Sequence, residues 1–73
     1  MQFQVEFKGK KQPVEFYFPS DKPIKAYQEY LGDKTKNVFV GNEGGFSIIL
    51  DFREVVMIVG APDFNETVTV ART

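Results

Sequence analysis

Seventy-three residues with nine basic and ten acidic side chains, and neither Cys nor His, make one small domain close to neutral. Disulfides and the usual zinc ligands are excluded, and a net charge of −1 is far from the basic balance of a dedicated nucleic-acid binder. A chain of this length buries roughly 60% of its unfolded surface, so stability must come from dense apolar packing, supplied by eight Phe and three Tyr, or from oligomerisation.

Phe3, Val5 and Phe7 alternate with Gln2, Gln4, Glu6 and Lys8, the pattern of a half-buried strand. Gly9 to Gln12 reads as a turn, after which Val14, Phe16 and Phe18 resume the alternation. The two strands are predicted to form an antiparallel hairpin with one aromatic face, Tyr17 turned to the other side, and Pro13 at a strand start where a missing amide donor costs least. Ser20 and Asp21 are N-cap candidates and Pro23 suits a first helical turn. From Lys22 to Leu31, Ile24, Tyr27 and Leu31 form one apolar stripe, with Gly32 as a left-handed stop. Val38 to Val40 is a third strand, closed by a glycine-rich loop from Gly41 to Gly45. Phe46–Leu50 and Val55–Val59 are two β-branched, apolar runs that meet at one charged step, Asp51 to Glu54, too short for a helix. This step is predicted to be a tight turn or sharp bend between neighbouring strands at the centre of the sheet. Gly60 to Asp63 breaks the pattern, and Thr67 to Val70 has strand composition.

The order β-β-α-β-β-β predicts an α+β domain: a curved antiparallel sheet of five or six strands with one short helix packed on one face. An open sheet with a dimer seam and a sheet curling towards a small barrel both satisfy the pattern. No apolar run approaches the ~18 residues of a membrane span, and the first residues alternate without a signal-like apolar block. A cytoplasmic protein that contacts no membrane is expected.

Without His or Cys, the common general base and the strongest nucleophile are missing. No catalytic residue, cofactor or metal ligand is assigned, and the expected protein is not an enzyme. A carboxylate site for a hard cation would need Asp51 and Glu54 to converge with Asp63 or Glu66. The glycine loop lacks the lysine of a phosphate-binding loop and precedes a strand rather than a helix. Lys8, Lys10 and Lys11 interleave with aromatics and, with Tyr17, define a candidate nucleic-acid or ligand surface, in which bases stack beside a backbone-tracking edge.

Surplus apolar surface is the stronger signal. Ile48, Leu50 and Phe52 fall on one face and Ile49 on the other, while Val55 to Val59 is apolar on both. One helix covers one face of a small sheet. The second face needs a closing sheet or another molecule, and Phe39, Ile49, Val56, Ile58 and Phe64 are the candidate protein interface.

The run from Ser47 to Val59 resembles the closing strands of Sm-like small barrels, where a strand, a one-turn helical bend and a final strand carry similar apolar sequence. That resemblance implies RNA binding. The whole element order resembles short β-β-α-β-β proteins encoded by bacteriophages and prophages of Gram-positive bacteria, which implies an accessory protein without implying an activity. The expected function is a non-catalytic binding protein of phage or mobile-element type. It self-associates as a homo-oligomer and engages, in an inhibitory way or otherwise, a partner protein of unknown identity. An oligonucleotide- or nucleotide-binding module is the alternative.

Overall fold

The alternation of Phe3 and Val5 with polar neighbours produces strand β1 (Gln2–Phe7), and the resumed alternation produces β2 (Val14–Tyr17). The computed structural model, which describes residues 1–61 and 67–72, pairs them antiparallel with Phe3 opposite Phe16 and Val5 opposite Val14. Gly9, at φ +71°, closes the turn between them, and the Lys10 amide donates to the Phe7 carbonyl at 3.2 Å. Helix α1 (Lys22–Gly32) follows, then β3 (Val38–Glu43), β4 (Phe46–Asp51), a one-turn 3-10 helix (Phe52–Glu54), β5 (Val55–Ala61) and β6 (Val68–Ala71). The fold is α+β as predicted, and its order is β-β-α-β-β-β-β, with four strands after the helix rather than three. The six strands among the described residues divide into an antiparallel sheet of four, ordered β2-β1-β5-β6, and a separate pair, β3-β4, and neither sheet closes.

That division corrects one expectation. β4 and β5 are not neighbours: the charged step between them is the 3-10 turn, and it carries the chain from the small sheet to the centre of the large one. The Asp51 carboxylate accepts the Arg53 amide at 3.0 Å and fixes the turn. Phe52, almost wholly buried, points from the turn into the core, while its amide donates to the Asn37 carbonyl at 2.9 Å.

Around Phe52 the core is aromatic. The rings of Tyr27, Tyr30 and Phe39 lie 5.2, 5.7 and 6.3 Å from it, and Phe18 meets Phe39 edge-on at 6.0 Å. Phe3, Val5, Val55 and Ile58 supply the floor from the four-stranded sheet. α1 lies across this floor on Pro23, Ile24, Tyr27 and Tyr30. Tyr30 takes the deeper place in the helical stripe and Leu31 is half-buried, because the Tyr30 ring packs on Phe52 and its hydroxyl accepts from Arg72 at 3.3 Å. Of the two predicted helix ends, the N-terminal one holds and the C-terminal one differs. Asp21 is the N-cap through its backbone carbonyl alone, whereas Ser20 donates its hydroxyl to Glu43 at 3.0 Å. Gly32 is not left-handed; the helix closes with the Asp33 amide on the Glu29 carbonyl at 2.8 Å.

Candidate functional site

The predicted glycine loop resolves into a much shorter turn. Gly44 and Gly45, at φ +57° and +82°, make a two-residue hairpin turn in which both positions need the left-handed region. Gly41 belongs to β3, opposite Ile48, and is buried; a Cβ there would lie 2.7 Å from the Phe39 ring and 2.8 Å from Phe18. With the turn set, the register follows: Phe39 faces Leu50, Val40 faces Ile49 and Val38 faces Asp51.

That register sorts the hairpin into two unlike faces. Phe39, Gly41, Ile48 and Leu50 point inward. Val38, Val40 and Ile49 point outward and are 51%, 68% and 73% exposed, with Val40 and Ile49 directly paired. The rest of the outer face is Asn42, Ser47 and Asp51, so its centre carries no charge. At its end, Arg53 grips Asp51 with Nε and one Nη at 2.9 and 2.8 Å. This guanidinium holds the Asp51 carboxyl below its ordinary value of 3.8, and Asp51 in turn raises Arg53.

The five predicted interface residues are spread by the fold. Ile49 is the most exposed large apolar side chain among the described residues. Phe39 is corrected: the register set by the Gly44-Gly45 turn places it opposite Leu50, and it points inward against Phe18 and Phe52, while Val56 is half-buried within β5. Ile58 is corrected: it is 0% exposed, in the centre of the core. A β-bulge is the reason, since Glu6 pairs with Met57 and Phe7 with Val55, which leaves Val56 as the extra residue. Past that extra residue the two-residue periodicity restarts, and both Val55 and Ile58 face inward. Phe64 lies outside the described residues.

The candidate nucleic-acid residues are not brought together. Tyr17 pairs with Gln2 at one end of the first hairpin, whereas Lys8, Lys10 and Lys11 lie beyond the Val5–Val14 pair at the other. Tyr17 packs instead on Phe46, ring centroids 5.0 Å apart, next to the tight turn. Of the candidate cation ligands, Asp51 is engaged by Arg53, Glu54 is exposed, and Asp63 and Glu66 lie outside the described residues. Among the described residues no cluster of three or more acidic side chains could hold a metal ion, and no helix is long and apolar enough to cross a membrane.

Sequence reasoning missed Val38 and Val40. The signal was present: centring a two-residue turn on Gly44-Gly45 places Val40 opposite Ile49, and the alternation with Phe39 and Gly41 then sends both valines outward. No protein-family model, curated protein or solved structure matches the chain.

Proposed function

We propose that the protein is a non-catalytic binding module that self-associates through the β3-β4 hairpin. The exposed Val40–Ile49 pair carries this reading. Two adjacent apolar side chains more than two-thirds exposed, flanked by Val38 and free of central charge, lose unfavourable hydration whenever a second surface covers them. A second copy of the chain is the favoured occupant, because a face uncharged at its centre meets itself without like-charge repulsion.

The size of the face sets the strength. A stable interface buries about 800 Å² on each partner, more than one short hairpin face offers. Association is therefore weak and concentration-dependent, and added salt leaves it intact, unlike a contact to nucleic acid.

Light scattering over a dilution series tests this reading, with Ile49→Lys as the control. The wild-type mass rises with concentration and the variant stays at the 8.3 kDa of one chain. Equal masses for the two proteins at every concentration would overturn it.

A further inference from the structure

Among the described residues four strand edges end a sheet, and three of them are blunted. β2 has four residues, with Pro13 before it, Lys10 and Lys11 in its turn, and Pro19 shortly after. β6 also has four residues and is followed by Arg72. β3 has α1 packed beside it. Short length, proline, lysine and a covering helix are the usual protections of an edge.

β4 has none of them. It is six residues long, Phe-Ser-Ile-Ile-Leu-Asp, regular in register and without Lys, Pro or Gly. Among the described residues β3 is the only strand hydrogen-bonded to it. The hydrogen-bonded pairs of an antiparallel ladder alternate. The two-residue turn and the Phe52 amide on Asn37 place Ile48 and Leu50 among the residues that bond to β3. Ser47, Ile49 and Asp51 then direct their amides and carbonyls to the open side, where no backbone partner meets them among the described residues.

We infer that this open edge is the seam of self-association: β4 pairs antiparallel with β4 of a second copy, centred on Ile49, giving a continuous sheet β3-β4-β4-β3. The inference rests on the self-association proposed above and specifies its geometry. In that register each Ile49 faces its own copy, Ser47 of each chain faces Asp51 of the other, and Ile48 faces Leu50. The two carboxylates stand about 13 Å apart along the strands, each already held by Arg53. Ser47 offers a hydroxyl to the facing Asp51. On the outer face the two Ile49 side chains shield each other across the seam, flanked by Val38 and Val40 of each chain.

Single-cysteine cross-linking separates this geometry from other modes, because the chain has no native Cys. In the proposed seam the two Ile49 Cα atoms are about 5.5 Å apart, within disulfide reach. The two Val40 Cα atoms are three strand spacings apart, about 14 Å, and out of reach. Mild oxidation of Ile49→Cys at high micromolar concentration yields a covalent dimer, Val40→Cys yields little, and the wild type shows a dimer mass under the same conditions. Ser47→Pro, which removes one outward amide and no β3–β4 bond, lowers that mass to one chain while the far-ultraviolet spectrum is retained. A wild-type dimer in which Val40→Cys cross-links as readily as Ile49→Cys overturns the seam and leaves self-association standing. A wild-type monomer throughout, with neither variant cross-linking, overturns both.

Discussion

The four-stranded sheet and the β3-β4 hairpin are built from similar residues, yet they differ in where they leave apolar side chains exposed: singly on the short edge strands of the sheet (Val14, Tyr17, Val68), and as a paired cluster on the hairpin. The sheet hides Phe3, Val5, Val55 and Ile58 on one face, sets Gln2, Gln4, Glu6 and Glu15 on the other, and guards both edges with short strands. The hairpin also hides one face, through Leu50 and the half-buried Phe39 and Ile48, but leaves Val38, Val40 and Ile49 in water beside an unguarded edge. Solubility alone calls for the first treatment throughout. The contrast is what supports the proposal that the sheet serves stability and the hairpin serves contact.

Substitutions in the shared core should damage folding most. Phe52→Ala removes the ring around which Tyr27, Tyr30 and Phe39 pack and should cost about 3–5 kcal/mol. A domain this small holds roughly 5 kcal/mol in total, so urea titration by circular dichroism should show an unfolded or barely folded chain. Gly41→Ala sharpens the comparison from the inner face of the hairpin. Its Cβ would strike the Phe39 and Phe18 rings, and overpacking of this kind costs about 1–3 kcal/mol. A wild-type urea midpoint in this variant would mean that the hairpin is not anchored through that face.

Tyr27→Phe is milder. It removes the bond from the buried hydroxyl to the Val55 carbonyl, 2.9 Å, which ties α1 to the four-stranded sheet, at about 1 kcal/mol. The same hydroxyl sets an alkaline limit. Burial raises its ionisation above the ordinary 10.0, partly offset by the Arg72 guanidinium. The folded state therefore keeps a proton that the unfolded chain gives up, so this contribution is whole below pH 10 and is lost as the pH rises through the folded-state value. Thermal melts between pH 8 and 11 should show a decline that Tyr27→Phe lessens. Ile49→Lys lies at the other extreme: on the exposed face it should change stability by no more than about 0.5 kcal/mol while lowering the solution mass to a single chain.

Local pattern carried much of this organisation. The alternation in β1 and β2, the proline-started helix with Ile24 and Tyr27 inward, and the inward Leu50 and Phe52 against outward Ile49 all follow from side-chain period alone. What failed needed knowledge of distant partners. Which strand β4 joins depends on the 3-10 turn redirecting the chain, and the sequence of Asp51 to Glu54 allows either outcome. Ile58 was misplaced because a bulge opposite Glu6 and Phe7 shifts the period of β5, and a continuous run of apolar residues conceals that shift. Tyr30 displaced Leu31 through contacts with Phe52 and Arg72, far away in the chain. The exposed hairpin face was legible through the Gly44-Gly45 turn, but only half of it, Ile49, was read.

Amide hydrogen exchange along β4, measured by NMR at low and at high protein concentration, tests the central claim most directly. One strand contains both probe and control: Ile48 and Leu50 bond to β3 at any concentration, whereas Ser47, Ile49 and Asp51 face the open edge. The edge-pairing account predicts that the first set is protected in both samples and that the second set becomes protected only in the concentrated one. Fast exchange of Ser47, Ile49 and Asp51 at both concentrations, with Ile48 and Leu50 protected throughout, would contradict it.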